Sequence, residues 1–217
     1  MGGQDGWTAV DALIGSTLLA DDPALQACLT NSAEHGLPDI AVSAPQGRFL
    51  ALIAKISGAR RVLEVGTLGG YSTIHLARGV GAGGDITTLE LDPAFAEVAR
   101  ANIAGAGLES RVDVVTGPAL DTLTTLDGPY DLAFIDADKV NNAHYVDHAI
   151  RLGRTGMLII VDNVVRDGAV LDPHDQSARA SRQLYDYVAR HPRLQGTALQ
   201  TVGDKGWDGM MLLEVTD

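Results

Sequence analysis

"RVLEVGTLGGYSTIHLARGV", Arg61 to Val80, passes from a short apolar, β-branched run through a glycine-containing turn into a segment with apolar residues three and four apart. That order reads as strand, loop and helix. The unit recurs downstream. "DITTLEL" (85–91), "VDVVTG" (112–117), "YDLAFID" (130–136) and "MLIIVDN" (157–163) read as further strands. "DPAFAEVARANIAGAGL", "PALDTLTTL" and "NNAHYVDHAIRLGR" lie between them and carry helical spacing with small or glycine-rich ends. Alternation of this kind demands right-handed crossovers and a largely parallel sheet covered on both faces. Strands that are almost continuously apolar suit that burial.

The two ends of the chain depart from the alternation. "LQGTALQTV" (194–202), the loop "GDKGWDG" (203–209) and "MMLLEV" (210–215) read as an antiparallel hairpin added to the parallel sheet, making seven strands. The amino-terminal part reads as helices over "TAVDALIGSTLLA", "PALQACLTNSAEHG" and "APQGRFLALIAKISG", which either cap the sheet or form a subunit interface. With no internal repeat, low-complexity tract or linker, residues 1–217 form one domain, with a helical region over 1–58 and an α/β core over 59–217.

Composition narrows the function. Hydrophobic residues make up 46% of the 217 and charged residues 20%, an ordinary globular balance. No apolar run approaches a membrane span, and "MGGQDGWTAV" lacks the basic start and apolar stretch of a signal peptide. Cys28 is the only cysteine, which excludes an internal disulfide and a cysteine-based zinc site and points to a reducing cytoplasm. A net charge of −12 without a basic patch disfavours nucleic acid as a partner.

In an open α/β sheet, ligands bind beyond the carboxyl ends of the strands. After the first strand the chain reads "EVGTLGGYS", Glu64 to Ser72. Leu68 and Tyr71 occupy positions where a dinucleotide fingerprint needs glycine, and no G-K-[ST] of a P-loop follows. A carboxylate at Glu64 would repel a pyrophosphate and welcome a cation, and Glu90 ends the second strand where an acidic residue accepts bonds from ribose hydroxyls. A ribose, a positive charge and no phosphate describe S-adenosylmethionine. The blander alternative makes Gly66, Gly69 and Gly70 turn formers and Glu64 an incidental polar end.

A second acidic group ends the fourth and fifth strands. Asp136 closes "YDLAFID", and Asp162 with Asn163 closes "IIVDN". Adjacent parallel strands would bring these together, and two close carboxylates destabilise each other unless they share a cation. Two carboxylates and an amide oxygen suit magnesium, calcium or manganese rather than zinc or copper. Asp162 and Asn163 also suit a turn. Asp138 reads as the N-cap of the next helix. Lys139, beside a cation that would lower its pKa, becomes a candidate general base. His75, His144 and His148 lack a third ligand motif and read as helix-face residues, and Cys28 as a small core or interface residue.

"VLEVGTLGGYST", "LELDPAFAEVARANI", "GPAL", "FIDADK" and "VDNV" come in the order and spacing of the cation-dependent O-methyltransferases of the catechol and caffeoyl-CoA type, and the chain resembles their bacterial branch over residues 40–217. The resemblance implies a Rossmann-like class I methyltransferase fold and a homodimer using the amino-terminal helices. It also implies metal ligands at Asp136, Asp162 and Asn163, a base at Lys139, and a cofactor lined by Val42, Glu64, Gly66, Thr67, Ser72, Glu90, Ala119 and Asp136. Two segments depart from the plant CoA-ester members: "VSAPQG" (42–47) replaces a more acidic stretch, and "DNVVRDG" lacks the aromatic residue that often follows there. A small catechol-like aromatic is therefore the expected acceptor. The alternative is a hydroxylated uridine of tRNA, served by the same cofactor and metal sites. Trp207 either faces the acceptor or is structural.

Overall fold

The computed structural model describes residues 3–217, so the first two residues of the amino-terminal stretch read above lie outside them. In the core, β1 (Arg61–Val65), β2 (Asp85–Glu90), β3 (Val112–Thr116), β4 (Tyr130–Ile135) and β5 (Gly153–Asp162) are parallel, with β6 (Leu194–Gly203) and β7 (Gly206–Val215) completing one sheet. The order is β3-β2-β1-β4-β5-β7-β6, with β7 antiparallel to both neighbours. The chain builds outward from β1 to β3 and then returns to pair β4 with β1. A crevice opens at that reversal because the connections leave β1 and β4 toward opposite faces.

Successive strand residues serve opposite cores, as pleating requires. Leu63, Ala133, Ile135, Ile159 and Val161 pack on one side, with Tyr145 and Ile150 of α7 (Asn142–Leu152) and Leu184 of α8 (Gln176–Arg190). Val62, Leu132, Phe134 and Ile160 pack on the other, with Leu50 of α3 (Ala44–Ile56), Ile74 of α4 (Tyr71–Val80) and Ile103 of α5 (Pro93–Gly105). α6 (Ala119–Thr125) lies between β3 and β4 in the chain. Ahead of the sheet come α1 (Gln4–Leu18) and α2 (Pro23–Glu34), the latter starting at Pro23 with the Asp22 carboxylate accepting from the Ala24 and Leu25 N–H groups.

Four readings change. α8 was not among the expected helices. β5 starts at Gly153, four residues before the expected Met157, because Gly153 pairs with Tyr130 ahead of a register irregularity. The expected hairpin loop over 203–209 shrinks to a tight turn between Gly203 and Gly206, so Trp207 and Asp208 lie in β7, opposite Val202 and Thr201. Asp138 flanks the 3₁₀ turn Lys139–Asn141 without capping it: its carboxylate accepts from Tyr145 Oη at 2.5 Å and Asn141 Nδ2 at 2.6 Å. Among the described residues no helix is long and apolar enough to cross a membrane.

Candidate active site

A cavity of about 850 Å³ opens beyond the carboxyl ends of β1, β4 and β5. The loop after β1 forms one wall with Gly66, Thr67 and Ser72, and Val42 adds a residue from the segment before α3. Gly66 is there for a steric reason. Its φ is 103°, and a Cβ at that position would come within 2.1 Å of the Asp136 carbonyl oxygen. Only glycine lets the β1 and β4 ends approach so closely.

Glu64 underlies this wall rather than forming it. Its side chain is fully buried, with Oε1 accepting from Ser72 Oγ at 2.7 Å and Oε2 from Thr73 Oγ1 at 2.5 Å and Thr88 Oγ1 at 2.6 Å. Burial pushes its carboxyl up to about 7 despite those three hydroxyls. The carboxylate thus fixes Ser72 at the cavity rather than presenting a bare charge to a cation. Glu90 is buried at the end of β2 and accepts from the N–H groups of Leu68 at 2.7 Å and Asp92 at 3.0 Å, pinning the β1 loop from behind. Ala119 begins α6, after β3, and packs against the core beside α7. Glu64, Glu90 and Ala119 are not among the cavity's walls.

The acidic group lines the same cavity. Asp136, Lys139, Asp162 and Asn163 all line the cavity. Lys139 Nζ donates to Asp136 Oδ1 at 2.8 Å, and the lysine is almost wholly buried. Burial, and secondly the charge on Asp136, hold the Asp162 carboxyl well above the usual carboxylate range. Asn163 sits at φ 58°, a left-handed conformation that asparagine tolerates better than most residues. The donor set of two carboxylates and one amide oxygen fits a hard cation. Among the described residues no group of three or more histidine, cysteine or acidic side chains is disposed to hold a metal. His75 is not on an open helix face: it is buried against Gly47, and burial lowers it to about 4.

Three residues of this site escaped the sequence reading. Gln46, in the first turn of α3, donates from Nε2 to Asp162 Oδ2 at 2.5 Å. Asp208 and Arg166 line the cavity from β7 and the segment after β5. Gln46 and Arg166 lie in the two segments that depart from the plant pattern, which was the one available signal. Asp208 gave none.

A seven-stranded sheet with this crevice, a glycine loop without a phosphate-binding fingerprint and an acidic edge define a methyltransferase-like α/β enzyme. The comparisons with known proteins agree. An O-methyltransferase family model matches residues 16–214. A catechol O-methyltransferase of Mycobacterium tuberculosis is 58% identical over 205 residues, covering 94% of this chain and 93% of that protein. A catechol O-methyltransferase of Niastella koreensis is 44% identical, covering 94% and 95%. The crystal structure of an O-methyltransferase from Bacillus cereus in complex with SAH superposes with a TM-score of 0.96 at 47% identity, covering 98% of this chain and 99% of that one. The chain belongs to this family, that of the S-adenosylmethionine-dependent O-methyltransferases.

Proposed function

We propose that the enzyme transfers the methyl group of S-adenosylmethionine to one hydroxyl of a catechol-like small aromatic, with a divalent cation held by Asp136, Asp162 and Asn163 and with Lys139 as general base. Magnesium is the first choice, with calcium and manganese as the other hard cations. The observation that carries the reading is that Asp136, Lys139, Asp162 and Asn163 line one cavity together with Gly66, Thr67 and Ser72. The names of the two catechol O-methyltransferase relatives support the acceptor class. In this reading Val42, Gly66, Thr67, Ser72 and Asp136, with Glu90 and Ala119, would hold the donor, and Glu64 holds the loop through Ser72.

When bound, the donor supplies a methyl group on a sulfonium and the cation supplies Lewis acidity toward the acceptor oxygens. The chain's own residues do the rest. Lys139 takes the hydroxyl proton. The bond from its Nζ to Asp136 Oδ1 at 2.8 Å sets where that amine lies on the cavity wall. A cation held by Asp136, Asp162 and Asn163 would supply positive charge beside Lys139, the setting in which a lysine can serve as base. Gln46 and the Asn163 N–H hold Asp162 through its two oxygens. Most of the acceleration comes from positioning, since the protein forms no covalent bond.

We place the protein in the cytoplasm as a homodimer. The support for the dimer is the exposed apolar set Val10, Leu13 and Leu18 on α1 with Leu52 and Ile56 on α3. Incubation with labelled S-adenosylmethionine, magnesium and catechol tests the function, with a monomethyl ether of catechol as the expected product. An enzyme that binds S-adenosylhomocysteine yet leaves catechol unmethylated would remove the acceptor class proposed here.

A further inference from the structure

The charges around the cavity leave one cation without a partner. Lys139 is paired with Asp136 at 2.8 Å, and Lys205, at the hairpin tip, with Asp39 at 2.9 Å. Arg166 lines the same cavity, and among the described residues its guanidinium has no carboxylate within ion-pairing distance and no hydrogen-bond acceptor. Asp175, the N-cap of α8, senses it only through space, its carboxyl being held low first by the Ala178 N–H. In a chain with a net charge of −12, an unpaired arginine on a cavity wall is an exception that calls for a ligand.

The backbone holds Arg166 there at some cost. Asn163, Arg166 and Asp167 have φ values of 58°, 55° and 54°, all in the left-handed region that residues other than glycine seldom occupy. Such a run persists only where its surroundings over-determine it. Asp208 does so from β7: its Oδ1 accepts from the N–H groups of Val165 at 3.0 Å, Arg166 at 2.8 Å and Gly209 at 2.9 Å. The Asp167 N–H adds a bond to the Trp207 carbonyl at 2.9 Å. Asp208 Oδ1 anchors the backbone of Arg166, and the carboxylate makes no ion pair with its guanidinium. Arg166 thereby lines the same cavity as Asn163, three residues further along the chain.

We infer that Arg166 receives an anionic substituent of the acceptor, and that the preferred acceptor is a catechol carrying one carboxylate. This rests on the catechol reading above. One unpaired guanidinium matches one negative charge, and its planar fork suits a carboxylate in a two-bond arrangement.

Calorimetric binding to the enzyme with S-adenosylhomocysteine and magnesium separates this inference from the function it rests on. The ligands are 3,4-dihydroxybenzoate, uncharged 4-methylcatechol and 3,4-dihydroxybenzylamine, which differ chiefly in the charge of one substituent. The benzoate is expected to bind about tenfold or more tighter than the amine. Arg166→Gln should abolish that ratio and Arg166→Lys should keep part of it, with S-adenosylhomocysteine affinity confirming that both variants fold. Equal affinities in the wild type, or a ratio unchanged in Arg166→Gln, overturn the inference even if 4-methylcatechol is methylated. A ratio that depends on Arg166 without methylation of any of the three supports charge recognition and overturns the catechol-methylation reading instead. Failure of all three ligands to bind overturns both.

Discussion

At the residue scale the proposal turns on Lys139. Replacing it with methionine keeps much of the volume and removes the base. The turnover rate should fall by about a hundredfold or more, while S-adenosylhomocysteine affinity stays within about twofold; steady-state rates and calorimetry on one preparation check both. Glu64 gives a separate test through pH. Its carboxyl titrates at about 7 in the fold against an ordinary 4.5, so folding favours its neutral form. Between those values the unfolded chain releases a proton that the folded one keeps, and stability falls as pH rises. Below about 4.5 the contribution is complete, and above about 7 it is gone. The span corresponds to about 3 kcal/mol. Glu64→Gln removes this slope, so thermal midpoints should show the wild type losing ground to the variant from pH 5 to pH 7.5. Parallel pH profiles would remove this role. That Asp136, Asp162 and Asn163 gather in one place was legible because they follow the ends of two strands read as neighbours, and Lys139 comes three residues after Asp136. Gln46 was not: its partner Asp162 lies 116 residues away. Only the fold brings them together.

At the scale of elements, the segment after β5 depends on β7. Asp208→Ala removes the acceptor of three backbone N–H groups and should cost about 1–3 kcal/mol, read from urea unfolding. Asp208→Asn, which keeps a carbonyl oxygen, should lose less. An alanine variant as stable as the wild type would mean that the left-handed run at 166–167 is held by something else. The core strands were legible because burial on both faces makes them continuously apolar, as in "LAFI" and "LIIV". α8 was missed for the opposite reason. Its sequence is mostly polar, and only Ala178, Ser181 and Leu184 are fully buried, a stripe too narrow to stand out in "QSARASRQLYDYVAR". The hairpin was legible but its turn was not. "GDKGWDG" has the composition of a loop, yet pairing continues through Trp207 and Asp208 to Gly206 because Gly203 and Gly206 close a tight turn.

For the whole molecule, the sheet order places the cavity and the amino-terminal helices set the expected assembly. α1 presents Val10, Leu13 and Leu18 to solvent, an apolar set that a second copy would cover. Sedimentation should give a particle of twice the chain's 22.7 kDa mass, and Val10→Glu with Leu13→Glu should return it to the single mass. A wild-type monomer at micromolar concentration would exclude the dimer. The central claim is that the acidic wall works through a cation, and methyl transfer to catechol with magnesium and then with excess chelator tests it most directly. The account predicts transfer that requires magnesium, stops with chelator and is lost in Asp162→Ala, whose S-adenosylhomocysteine affinity stays near that of the wild type. Transfer that continues undiminished in chelator would contradict it.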